Sequence, residues 1–168
     1  MHSQSGFTLV EALISIGILA VSVMVPISIV AQSFFAAQAS RDQTTAVYLA
    51  QEGLEGVRNI RDTNVLSGLP WTTGLNGCFG VNGCQINVLG GTVTTCGSSG
   101  CDWLRLDEDD TWQYGYSGSW PVSIFRRHIY ITQHVPGREI EVESVVSWQR
   151  GLFSKTISSS AFLYNWEN

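Results

Sequence analysis

Lysine is nearly missing from this chain. Of 168 residues, nine are Lys or Arg against 14 Asp and Glu, giving a formal net charge of −5. Lys155 is the single lysine. A broad basic footprint for nucleic acid is therefore excluded, and a local pair such as Arg126-Arg127 reads as ordinary strand surface. Catalytic signatures are missing as well. There is no G-x-S-x-G, no H-E-x-x-H, no P-loop and no Rossmann glycine pattern. The histidines, His2, His128 and His134, are few and scattered, and His128 reads as a strand-surface residue. With no residues to carry a reaction, neither an enzyme nor a cofactor is expected.

Charge is also absent from Ala12 to Ala31. About 20 apolar residues at a helical rise of 1.5 Å span roughly 30 Å, the thickness of a bilayer core. Ile, Val, Leu and Ala continue there without turn signals, so a membrane helix is predicted, with Pro26 set to bend it or loosen one hydrogen bond. A secretory signal would show a basic leader, a shorter apolar core and a small-residue cleavage site in that order. The leader "MHSQSG" has no Lys or Arg, so it sets no orientation by the positive-inside rule. One residue is out of place. Glu11 lies a turn inside the apolar run, where an acid costs about 2.5–3.5 kcal/mol near the bilayer centre and usually marks a paired or functional site. Proximity to the interface, where the carboxylate reaches water, is the plainer account.

The letters around Glu11 decide between the two. "GFTLVE", Gly6 to Glu11, resembles the processing motif of type IV pilins and the related pseudopilins. That resemblance implies a prepilin peptidase cutting after Gly6, N-methylation of the new terminal Phe7, and Glu11 as the acid at the fifth mature position. The apolar helix is kept, first as an anchor in membrane lipid and then as filament core. In the family the acid of one subunit meets the amino terminus of its neighbour; each charge is costly alone in apolar surroundings, and the pair offsets part of that cost and sets register. The resemblance further implies other pilin subunits and an inner-membrane assembly platform as partners, with the C-terminal domain outside the cytoplasm. Two features depart from the family pattern: the leader has no basic residue, and Pro26 falls slightly early.

The expected fold is α+β and pilin-like: a long N-terminal helix packed on a C-terminal antiparallel sheet. Its parts are a leader at 1–6, a hydrophobic transmembrane or filament-core helix at 7–35, its amphipathic continuation at 36–61, a variable Gly/Cys-rich segment at 62–121 and the sheet at 122–168. Ala46, Leu49, Ala50, Gly53, Leu54, Val57 and Ile60 recur at three- and four-residue steps, with Gln51, Glu52, Glu55, Arg58 and Asn59 largely on other faces. Gly53 and Gly56 each cost such a helix about 1 kcal/mol relative to Ala; either the sheet or a neighbouring subunit approaches closely there, or the weakness is tolerated. "YLAQEGLEGVRNIRDTN" is also similar to a motif in a subset of bacterial pilin-like proteins.

Three strands are predicted at Ile124–Gln133, Glu139–Trp148 and Phe153–Leu163. The second puts Ile140, Val142, Ser144, Val146 and Trp148 on one face and Glu139, Glu141 and Glu143 on the other. "VPGR" has Pro then Gly at the centre of a turn. Pairing about that turn sets Val142 opposite Ile131 and Trp148 opposite Phe125. It brings Arg126 and His128 onto the surface of the glutamates, and puts Arg127 on the inner face opposite Val146. Arg127 then calls for a bulge or for a side chain snorkelling at the sheet edge. Short strands are expected around Gln85–Thr95 and Gln113–Tyr116.

Cys78, Cys84, Cys96 and Cys101 all fall in the Gly-rich segment. An even count beyond a membrane segment points to disulfides. A four-thiolate zinc site is the competing idea, but these spacings lack the two-residue knuckle. Three connectivities exist; Cys78 with Cys84 and Cys96 with Cys101 is the one favoured. The run "DEDD" makes Asp107, Asp109 and Asp110 candidates for calcium, but it lacks the glycine and distal glutamate of an EF-hand loop. A solvated turn is expected instead, and no metal. Trp71, Trp103, Trp112, Tyr114, Tyr116 and Trp120 read as core or subunit contacts rather than a stacking platform for sugars or single-stranded DNA.

Two functions compete. One is a processed structural subunit, major pilin, minor pilin or pseudopilin, of a type IV pilus-like filament. The other is an unprocessed single-pass anchor displaying a binding module, an adhesin or DNA-uptake receptor. Motility, adhesion, DNA uptake and secretion all use the first plan, and fold does not choose among them.

Overall fold

The structure, a computed structural model, describes residues 6, 8–108 and 111–166. Phe7, Asp109 and Asp110, with most of the leader, lie outside the described residues. The chain divides into two compact units, Met1–Gln43 and Thr44–Asn168. One helix, α1 (Leu9–Leu66), supplies the first unit and the opening of the second. It runs past the expected end near Arg61.

Within the first unit α1 is apolar and exposed, and it is long and apolar enough to cross a membrane. Its hydroxyls are satisfied inside the helix: Ser15 donates to the Glu11 carbonyl, Ser22 to Leu19, Ser28 to Val25 and Ser33 to Ile29. Such back-bonding removes polar groups that lipid leaves unpaired. Pro26 lies inside the continuous helix.

In the second unit α1 ends in a Schellman motif. Gly68 takes φ +67°, its N–H donates to Val65, and the Leu69 N–H donates back to Asn64. A left-handed residue at that position favours glycine. The Asn64 amide then donates to the carbonyls of Trp71 and Thr73, fixing the chain that leaves the helix.

Among the described residues a short 3-10 turn, Asn76–Phe79, precedes seven strands: β1 (Cys84–Asn87), β2 (Thr92–Thr95), β3 (Trp103–Leu106), β4 (Tyr114–Gly115), β5 (Val122–Val135), β6 (Glu139–Arg150) and β7 (Phe153–Tyr164). They form one antiparallel sheet, in which β5, β6 and β7 make a meander. The other edge of β5 is shared: β3 pairs along its first half and β1 meets it at Ile129. Val142 faces Ile131 and Trp148 faces Phe125 as the alternation predicts. At the β5–β6 connection Gly137 has φ +71° and Arg138 donates to Val135, the Pro-Gly turn.

The inner face of the sheet is buried against α1 in two clusters. Ala46, Leu49 and Ala50 pack with Leu104, Phe125, Val146 and Trp148. One to two turns further on, Leu54 and Val57 pack with Ile86, Ile129, Ile131, Ile140 and Val142. At about 25 cal/mol per Å² of apolar area these two patches supply the main driving force for folding the unit.

Candidate functional site

At the N-terminus Thr8 caps α1. Its hydroxyl accepts the Glu11 backbone N–H at 3.3 Å, and its carbonyl accepts the N–H of Ala12. T-x-x-E is a capping-box spacing, a signal present in "TLVE" that the motif reading passes over. Glu11 is therefore the acid of the first helical turn, where a carboxylate also meets the positive end of the helix dipole. Gly6 is exposed, with open space about its Cα. Gly6, the Thr8 cap and the acid Glu11 are all exposed at the head of an apolar helix.

The second arrangement is where α1 meets the sheet. Arg127 is almost fully buried in the centre of β5, with its register to Val146 unbroken. The expected bulge or edge snorkelling does not occur; the register shift in β5 lies at Gln133/Val135 instead. Arg127 is accommodated because both Nη atoms of its guanidinium find acceptors on two elements, α1 and β1. One Nη1 donates to the Glu52 carboxylate at 2.8 Å and to the Leu49 carbonyl at 3.0 Å, and Nη2 donates to the Ile86 carbonyl at 2.9 Å. Glu52, assigned by periodicity to the outer faces, turns in as the counter-ion. Burial pushes the Tyr116 hydroxyl above its ordinary pKa, with the nearby Arg127 charge opposing.

Gly53 lets this seam close. A Cβ there would stand 2.5 Å from Ser144 Oγ and 3.0 Å from Arg127 Cδ, so the close approach is that of the sheet. Gly56 is less tightly held, its Cβ position 3.1 Å from a Val88 methyl.

The insertion before β5 is stapled by disulfides Cys78–Cys84 and Cys96–Cys101. The first lies in the core cluster with Ile129 and Leu75. The second closes residues 97–100 over the outer face of the sheet. There the Cys101 N–H donates to His128 Nε2 at 3.1 Å, Arg126 donates to the Ser99 carbonyl, and its guanidinium lies over the Trp103 ring. Asp102 and Gln85 bond reciprocally. His128 is thus half-covered rather than on open strand surface; burial first, then Arg126, lowers its pKa. By register Arg126 and His128 share the outer face with Glu141 and Glu143 as the alternation predicts, but Arg126 is engaged by this loop while Glu141 pairs with His134.

No group of metal-binding side chains occurs among the described residues. Asp107 accepts the Thr111 hydroxyl and donates its N–H to the Gln113 carbonyl, which makes it part of a turn. The aromatics do not share one platform: Trp71 is buried, Tyr114 packs edge-on to Phe125, Trp103 lies under Arg126, and Trp112 is exposed.

Residues 1–25 match the family described as the prokaryotic N-terminal methylation motif, the processing motif of type IV pilins. No curated protein and no solved structure matches the chain significantly. The motif fits a type IV pilin-like protein, and the helix that follows it is long and apolar enough to cross a membrane.

Proposed function

We propose that the chain is a structural subunit, pilin or pseudopilin, of a type IV pilus-like extracellular filament. A prepilin peptidase cleaves between Gly6 and Phe7, and Phe7 is N-methylated. The subunit waits in the inner membrane with its C-terminal unit outside the cytoplasm. An assembly platform then draws it into a bundle of like helices. The observation that carries this reading is the methylation motif placed on the exposed first turn of a membrane-length apolar helix. Cleavage creates a cationic amine at Phe7, four residues before Glu11. In a helix bundle depleted of water, amine and carboxylate of adjacent subunits stabilise one another only at one axial offset, so the acid fixes the stagger. No reaction is assigned to the chain.

Intact-mass and N-terminal mass spectrometry on material sheared from the native cell surface tests this. The expected species begins at Phe7 with one added methyl group, in a high-molecular-weight fraction. A chain beginning at Met1 and found only in membranes overturns the filament reading and leaves an anchored binding module.

A further inference from the structure

The β6–β7 hairpin ends in Arg150-Gly151-Leu152-Phe153-Ser154-Lys155. Gly151 has φ +60° and Arg150 pairs with Phe153, which makes a tight two-residue turn of Gly151 and Leu152. Such turns ordinarily carry Gly, Asn or Asp. Here the tip is apolar: Leu152 is 98% exposed and Phe153 78% exposed. One exposed apolar residue needs no explanation, but two adjacent large ones at the end of a projecting hairpin are a different matter.

The flanks are cationic. Arg150 precedes the tip, and Lys155, the chain's only lysine, follows it. No Asp or Glu occurs from Val145 to Tyr164, although the chain as a whole carries −5. The acidic turn at Asp107 and Glu108 follows β3, which β5 and β6 separate from β7. Arg150 and Lys155 thus flank an apolar tip, while the acids of β6, Glu139, Glu141 and Glu143, lie toward the far end of the hairpin.

The position of the tip supplies the occupant. Val146 and Trp148 pack with Ala46, Leu49 and Ala50, while Ile140 and Val142 pack with Leu54 and Val57. The hairpin therefore projects at the end of the second unit where the chain enters it, at Thr44. A short tether, residues 36–43, is all that separates this unit from the apolar stretch expected to lie in lipid.

We propose that the β6–β7 tip is a second, reversible membrane contact. Leu152 and Phe153 enter the interfacial layer of the bilayer that holds α1, and Lys155 meets anionic phospholipid headgroups. Aromatic and aliphatic side chains favour the interfacial layer, and flanking cations gain from an anionic surface. The contact is weak by itself, as a single small apolar insertion is, and tethering makes it effective by raising local concentration. It rests on the membrane anchoring in the proposed function and not on filament assembly. Release of the tip accompanies extraction of the subunit from the bilayer.

The test places single nitroxide labels on the full-length chain in vesicles of phosphatidylcholine and phosphatidylglycerol in equal parts. Because the described cysteines are all disulfide-bonded, an added cysteine is the only thiol. Labels go at Ile18 in the anchor, at Leu152, and at Val81, which is 96% exposed elsewhere in the unit. Accessibility to oxygen against a water-soluble nickel chelate reads depth. The Ile18 and Leu152 labels are expected to favour oxygen severalfold over the Val81 label. Combined F153S and K155Q changes, both at exposed positions, should return the Leu152 label to water while Ile18 stays in lipid. Ile18 in lipid with Leu152 as wet as Val81 overturns the proposal alone. Ile18 in water overturns the anchoring and the proposal with it. A Leu152 label that is wet in vesicles and buried only in sheared filaments assigns the tip to a subunit contact and overturns the membrane reading.

Discussion

Arg127 Nη1 lies 2.8 Å from the Glu52 carboxylate, joining the inner face of the sheet to α1 through a buried cation. The two residues stand 75 apart in sequence. Removing one partner of such a pair leaves an uncompensated charge, which is usually far more costly than replacing both by apolar groups. Glu52 is one-third exposed, so solvent screens part of the loss. E52A is expected to cost about 2 kcal/mol, and R127M in that background to restore most of it. Denaturant midpoints of the four species in detergent measure the cycle. An E52A midpoint equal to the parent's would mean that the carbonyls of Leu49 and Ile86 alone hold the guanidinium.

Gly53 is expected to reject a methyl group that helix propensity favours. Alanine gains about 1 kcal/mol of intrinsic propensity over glycine. Against this, its Cβ would sit 2.5 Å from Ser144 Oγ, beside the Arg127 chain. Overpacking of this kind typically costs about 1–3 kcal/mol. G53A should therefore destabilise. G56A, whose Cβ would meet methyls of Val88 at 3.1 Å and Ile86 at 3.3 Å, should cost less than G53A. Thermal midpoints in the opposite order would place the seam elsewhere.

Much of this fold can be read from period alone. The three-and-four spacing from Ala46 to Ile60 and the two-residue alternation of Glu139–Trp148 identify the core faces, and the Pro-Gly turn sets the β5–β6 register. Arg127 shows where that reading stops. Alternation places a cation on the inner face, and only the fold brings Glu52 and Leu49 of α1 and Ile86 of β1 to it. β3 was missed for a related reason: four residues with no clear alternation become a strand only because β5 is long enough to offer them half an edge. At the N-terminus the processing motif points to the Glu11 carboxylate, while the T-x-x-E spacing in the same letters signals the cap that Thr8 gives the Glu11 N–H.

The two disulfides should differ in what they protect. Each closes a short loop, with sequence separations of 6 and 5, and chain entropy assigns such loops about 2 kcal/mol. Cys78 and Cys84 are also fully buried in the core cluster. Replacing both by serine puts hydroxyls there and should lower the global midpoint more than the same change at Cys96 and Cys101. The second pair should act locally, raising amide exchange at Cys101 and Asp102 while the β5–β6–β7 amides stay protected. Equal global losses would show that the outer loop is part of the cooperative core.

His128 should make stability fall on acidification. Its folded pKa lies below the ordinary 6.5 because burial and then Arg126 disfavour the imidazolium. The unfolded chain thus binds a proton first, and stability rises with pH between the folded and unfolded values. The contribution is fully present above 6.5 and is lost as pH falls toward the folded value. Protonation also removes the acceptor of the Cys101 N–H. Across the sheet His128 faces Val145, which offers no compensating charge. H128Q keeps an acceptor without the titration, so its unfolding midpoint should vary less across this window. Identical pH profiles for parent and variant would assign the dependence to other groups.

Glu11 can be tested without disturbing the helix it begins. The cap uses the Glu11 backbone N–H and the Thr8 hydroxyl, so E11A removes the carboxylate and leaves that bond in place. The acid-free segment is more apolar than before, so membrane insertion should persist. If the carboxylate sets stagger by meeting a neighbour's amino terminus, E11A is expected to accumulate in the membrane and drop out of sheared filaments. T8A is the complementary variant. It loses the cap, worth about 0.5–2 kcal/mol, but keeps the charge, and should still enter filaments. Immunoblots of membrane and sheared fractions for both variants separate the roles. Loss of assembly in T8A with normal assembly in E11A would give the function to helix initiation and take it from the charge.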